Sequence, residues 1–171
     1  MHQQQRIILN EMDEILKILL LGVFATVVMD IWATFSNKIL KFPRTNWAMV
    51  GRWLGHIPSG QLIHTSISSA PEIKNENAIG WAFHYLIGTA YAAFYVFLVF
   101  FALGGQPSLL SAWIFGLATI LSPWFIMQPS LGMGFFASKA PQPNMVRLQN
   151  FAIHSIFGAA LYYGWLWGIN A

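Results

Sequence analysis

The chain alternates between long runs without any charge and short polar connections. Residues 77–138 contain no Asp, Glu, Lys or Arg, and neither do residues 148–171. A charge at the centre of a bilayer costs about 2.5–3.5 kcal/mol on insertion scales, so a membrane enforces such runs and water does not. At about twenty residues per crossing, four segments are long enough. They lie at 15–36, 79–103, 109–127 and 151–169. The pattern predicts an all-α, polytopic membrane protein, a four-transmembrane-helix bundle forming one domain over residues 1–171.

The connections sharpen this picture. Gly104, Gly105, Gln106, Pro107 and Ser108 form a tight turn, so spans two and three are expected as an antiparallel hairpin. Loop one covers 37–78 and holds a helical pattern at 46–57, for which Thr45 is the expected N-cap. On a wheel, Trp47, Met49, Val50, Trp53, Leu54 and Ile57 share one broad face, with Arg52 and His56 opposite. Such a helix lies in the membrane interface or folds over the bundle mouth. Loop three is Gly/Pro-rich and irregular; Pro141 and Pro143 exclude a helix across 139–143.

Spans two and four share a frame. Trp81, Ala82, His84, Gly88 and Ala90 recur as Phe151, Ala152, His154, Gly158 and Ala160. Phe24, Ala25 and Thr26 of span one have a fainter echo in Leu117, Ala118 and Thr119 of span three. An AB-AB order implies two parallel helix-pair repeats about an axis along the membrane normal; chance is the competing reading, because Ala, Gly and aromatics are common in spans.

Charge and composition add orientation. Apolar residues make up 56% and charged ones 9%, which removes the chain from the soluble classes. The net charge of +3 comes from residues at span edges and does not point to nucleic acid. Loop one carries Lys38, Lys41, Arg44, Arg52 and Lys74, and loop three Lys139 and Arg147, against Arg6 and Lys17 on the other side. The positive-inside rule places loops one and three in the cytoplasm and both termini in the periplasm. Glu11, Asp13 and Glu14 precede the first apolar run and Asp30 interrupts it, so that run is expected as a span rather than a cleaved leader. The chain has no cysteine, which excludes thiolate metal sites and Cys nucleophiles.

The few polar residues inside the spans are the candidate chemistry. Asp30, His84, His154, Ser122 and Gln128 all fall near the same end of their spans, roughly 5–10 Å inside the interface at 1.5 Å per residue. Four-residue stripes support an inward orientation: Gly22, Thr26 and Asp30; Gly80, His84 and Gly88; Asn150, His154 and Gly158. Small residues beside a polar one mark close helix crossings. Pro123 frees a carbonyl near Thr119 that needs another partner. Asp30 reads either as a carboxylate paired with Arg52 or a histidine, or as a proton or ligand site. His84 and His154 read as interhelix hydrogen bonds, ligand or metal contacts, or proton carriers. Arg52 and His56 are the candidate lid; a headgroup contact is the alternative. His2 and His64 are expected to be solvated.

Several segments together resemble a bacterial family of small multi-pass membrane proteins, domain of unknown function 2938: TVVMD at 26–30, VGRWLGH at 50–56, GWAFHYLIG at 80–88, MQPSLGMG at 127–134 and HSIFGAALY at 154–162. The family carries Thr where this chain has Ala140. The resemblance implies a bacterial inner membrane and supplies neither an activity nor site residues.

Three functions compete. The first is a binding or transport-associated protein whose cavity is lined by Asp30, His84, His154, Gln128 and Ser122; four spans are few for a transporter, so a homodimer or partner subunit is expected beside the lipid bilayer. The second is a haem or divalent-metal protein using His84, His154 and Asp30. The third is a structural or assembly factor. No Walker loop, dinucleotide fingerprint, His-Glu-x-x-His or nucleophile elbow is present, and nothing in the spacing favours an enzyme.

Overall fold

The computed structural model describes residues 2–102 and 104–168, with side chains from residue 12 onward. Leu103 and Ile169, the expected ends of spans two and four, and the side chains of His2, Arg6 and Glu11 lie outside the described residues. Every regular element described is helical: α1 (His2–Leu40), α2 (Trp47–His56), α3 (Glu76–Ala102), α4 (Leu109–Ala118), α5 (Gln128–Ser130) and α6 (Pro143–Leu166).

Three segments are long and apolar enough to cross a membrane: Met12–Leu40, Glu76–Ala102 and Leu109–Ser130. Their outward faces leave Leu16, Leu20, Val23, Ile31, Leu86 and Phe101 uncovered. Water around such side chains would forfeit roughly 1.5–3 kcal/mol for each, which a lipid solvent restores. The fourth expected span, α6, is not among the three, because Asn144, Arg147, Gln149, Asn150 and His154 dilute its N-terminal half.

Glycines set the helix crossings. A Cβ on Gly88 would overlap the hydroxyl of Thr26, and one on Gly22 would fall 2.5 Å from the Cα of Thr89, so α1 and α3 touch almost backbone to backbone. Gly116 and Gly158 do the same for α4 and α6. α1 also packs against α6, giving the lateral order α3, α1, α6, α4. The tight turn before α4 forms as expected: Gly104 and Gly105 take left-handed φ values of 66° and 79°, and Ser108 with Ser111 builds a capping box. Yet α3 and α4 are not a closely packed pair. They meet through aromatic rings, Tyr91, Phe94 and Tyr95 reaching Phe115.

After α4 the chain does not continue as regular α-helix. Pro123 has no N–H for the Thr119 carbonyl, and that oxygen accepts from Ser122 N instead, at 3.2 Å. The backbone then widens into a π turn, Pro123–Met127.

Helix α2 folds over the bundle end where α1 stops and α3 begins. Its N-cap is Asn46, not Thr45: the Asn46 amide oxygen accepts from Ala48 N at 3.1 Å. A Cβ on Gly51 would overlap the Glu76 carbonyl, and one on Gly80 the Trp47 carbonyl, so α2 lies directly on the first turns of α3. Val50 and Trp53 join Ile67 and Leu131 in a small core beneath it. The wheel misplaced Arg52, which is only 3% exposed. Loop residues after α2 fold back over that face, so the helix is covered on both sides. Loop one is stitched to loop three, with His64 N donating to Ser130 O (2.9 Å) and Ile67 N to Leu131 O (3.2 Å).

Candidate functional site

Between the cap core and the main bundle core lie two adjoining chambers of about 290 Å³ and 260 Å³. His84, Trp47, Met127 and Asn150 stand between them and line both. His154 and Ser122 line the first chamber; Asp30 and Gln128 line the second. All five residues singled out in the spans thus line one or the other of two adjoining chambers.

Asp30 sits on α1 opposite His84 and Tyr85 of α3. His84 Nε2 is 3.0 Å from Asp30 Oδ1, and the Tyr85 hydroxyl donates to Oδ2 at 3.1 Å. A carboxylate only accepts, so this pairing puts the His84 ring proton on Nε2. Of the two partners considered for Asp30, the histidine is the actual one. Trp47 stacks on the face of the imidazole, centroids 4.0 Å apart at 23°.

His154 is fixed by α4. The Thr119 hydroxyl donates to Gly116 O at 2.6 Å, so its oxygen accepts from His154 Nδ1 at 2.7 Å. That leaves Nε2 of a neutral ring as an acceptor on the chamber side of the helix pair. The two histidines therefore bond to different partners on different helices. Among the described residues no three His, Asp or Glu side chains are grouped to hold a metal ion, so the proposed trio of His84, His154 and Asp30 is not a metal cluster.

The amides of the second chamber are oriented by their neighbours. Asn150, with its amide turned as those neighbours require, accepts from Trp124 Nε1 (3.0 Å) and from Gln128 Nε2 (2.8 Å), and donates to Val146 O (3.2 Å). Gln149 Nε2 donates to Ser36 Oγ at 2.9 Å, while Ser36 leans its own hydroxyl toward Ala33 O at 3.3 Å. One N–H of each glutamine amide is thereby committed. Gln128 Oε1 and Gln149 Oε1 are buried with no hydrogen-bond partner. The side chains are 2% and 4% exposed, and both line the second chamber. An unpaired buried acceptor costs about 1–3 kcal/mol, so each of these oxygens calls for a donor.

The expected lid is corrected. Arg52 does not face Asp30. Its guanidinium makes a two-pronged pair with Glu76 (Nε–Oε2 and Nη2–Oε1, both 2.8 Å), donates to Ala70 O at 3.0 Å, and reaches Glu72 at 3.2 Å. The Glu76 hydrogen bond holds the Arg52 pKa above its ordinary value against the opposing effect of burial. His56 Nδ1 lies 2.9 Å from His64 Nε2. His64 is 4% exposed, contrary to the expectation that it is solvated, because the stitch to Ser130 pulls it under the cap. Neither Arg52 nor His56 lines either chamber. Trp47, with residues 44–46 beside it, covers the site instead.

Sequence reasoning missed Tyr85, Trp47 and Gln149. Tyr85 could have been found as the polar neighbour of His84. Gln149 and Asn150 are consecutive amides at the mouth of a charge-free run, a signal that was legible.

A family model described as a protein of unknown function (DUF2938) matches residues 19–167. No curated protein matches the chain. No solved structure matches it either.

Proposed function

The chain belongs to the DUF2938 family of proteins of unknown function, and from the site itself we propose that it is a membrane protein that binds a small molecule through a hydrogen-bond-donating head, as a binding or transport-associated component. The observation that carries this is the pair of buried, partnerless acceptors, Gln128 Oε1 and Gln149 Oε1, on side chains that line the same chamber as the Asp30 carboxylate. Three acceptor-bearing side chains around one space favour an ammonium or similar multi-donor group, since hydrogen bonds to charged groups are the stronger ones. Arg44 lies on the rim, its guanidinium carbon 5.8 Å from the Trp81 ring centroid, where the ring face draws it to one side.

In this reading α6 is the fourth crossing helix. Its support is its place between α1 and α4, both of which it contacts. The pairs α1–α3 and α4–α6 are the two parallel repeats, each joined by a histidine on the second helix bonded to the first. The capped end faces the cytoplasm of a bacterial inner membrane, as loop one and loop three carry most of the basic residues. A second copy or a partner subunit completes any transport path.

Native mass spectrometry of protein released from lipid nanodiscs tests the reading. We expect a retained small molecule or lipid on wild type that is lost in Gln128→Leu/Gln149→Leu. A retained haem or metal ion lost with His84→Ala would replace this reading with the metal one.

A further inference from the structure

The first chamber adjoins a groove that faces outward. This groove, between α3 and the segment after α4, is lined by Phe94, Phe115, Leu121 and Phe125, and it shares Tyr91, Thr119, Ser122 and Ile126 with the first chamber. Three independent features meet there. α3 and α4 are not closely packed along their length. The chain at this level is widened by the π turn that Pro123 imposes. Phe94, Leu121, Phe125 and Ile126 are each about half exposed, on a face that only hydrocarbon would solvate.

The polarity along this path is graded. The groove is apolar. The first chamber is walled mainly by residues such as Met29, Phe83, Ile87 and Phe157, with the His154 ring among them. The second chamber ends at Asp30, Gln128 and Gln149. Each chamber is close to the lower end of the range for small-molecule pockets, about 300–1,000 Å³, and the two together fall within it.

We propose that the ligand is an amphiphile taken sideways from the bilayer: its donor-bearing head lies among Asp30, Gln128 and Gln149, and its hydrocarbon chain lies in the first chamber, having entered between α3 and α4 at Ser122 and Ile126. This rests on the reading of the polar chamber given above and adds the tail and the route. The head passes the His84–Trp47 partition; the tail never leaves an apolar environment, so transfer from the bilayer needs little desolvation of hydrocarbon.

The probe is octylamine carrying a diazirine at the end of its chain, photolysed on the full-length protein in lipid nanodiscs and mapped by peptide mass spectrometry. Label is expected on Tyr91, Ile87 or Phe157, falling at least 10-fold with excess octylammonium but not with octanoate. Ile126→Trp, on an exposed position, and Leu121→Trp, on the groove alone, as a second obstruction, should each cut that label at least 5-fold. Butylammonium, which has almost no tail and reaches the polar chamber past residues 44–46, should bind both variants as it binds wild type. Label confined to bilayer-facing residues such as Phe101 and Leu110, with butylammonium still bound, overturns the lateral route and leaves the polar site standing. Failure of butylammonium to bind wild type as well removes the polar site itself.

Discussion

Trp47, the first residue of α2, lies flat on His84 of α3, centroids 4.0 Å apart. This stack is the joint between cap and bundle, because the edge of the same His84 ring holds Asp30. Trp47→Leu keeps an apolar cover and removes the stack. Ring stacking adds about 0.5–1.5 kcal/mol beyond area burial, so a loss of stability of that size is expected, with butylammonium leaving the site several-fold faster in stopped-flow displacement. An unchanged off-rate would show that the indole does not cover the chamber.

Asp30→Asn separates charge from shape. His84 and Tyr85 each donate to a carboxylate oxygen, and the amide offers one acceptor where there were two. Hydrogen bonds to a charged group are worth about 1.5–3 kcal/mol, and a loss within that range is expected in thermal unfolding. Tyr85→Phe, which removes one of the two donors, should cost less than Asp30→Asn. The reverse order would mean that the tyrosine, rather than the charge, organises the site.

The helix crossing at Gly51 and Gly80 predicts a local defect. A Cβ at either position meets a backbone carbonyl, which cannot swing away as a side chain can. Overpacking costs roughly 1–3 kcal/mol, so Gly80→Ala should raise amide hydrogen exchange across α2 while the exchange of α1 and α6 stays slow. Gly60→Ala serves as the contrast: it has open space around it and only a positive φ of 82° to strain. Equal exchange in α2 for both variants would contradict the crossing.

Arg52 predicts a loop phenotype rather than a gating one. Its fork grips Glu76 and two loop carbonyls, and a lysine cannot reproduce that geometry. Arg52→Lys should speed limited proteolysis in the loop that follows α2 and leave butylammonium affinity within about 2-fold of wild type. A large fall in affinity without faster proteolysis would restore Arg52 to a lid role.

How much of this was legible follows from the physics of each residue. Asp30, His84, His154, Ser122 and Gln128 stood out because hydrocarbon leaves so few polar side chains to consider, and the four-residue stripes gave their orientation. The close crossings at Gly22, Gly88 and Gly158 came from the same stripes. The cap was harder to read. Arg52 was turned to the wrong side because a wheel assumes one buried face, whereas the aperiodic chain after α2 covers the other. His64 was read as solvated for the same reason: its burial depends on a hydrogen bond to Ser130, far away in sequence. Gln149 was missed because it lies just before the run read as span four, although a flank that points inward is where a site can recruit amides.

The most direct measurement is a calorimetric titration of butylammonium into the full-length protein in nanodiscs, wild type against Gln149→Leu. That substitution removes a partnerless acceptor, a relief of about 1–3 kcal/mol, and gives up the bond to Ser36, a loss of about 0.5–1.5 kcal/mol, so unliganded stability should be little changed or slightly raised. Saturable binding to wild type is expected, with none of butyrate, and affinity at least 10-fold weaker in the variant. Equal titrations in the two proteins, or no saturable heat in either, would contradict the claim that the chamber is built to receive a donor.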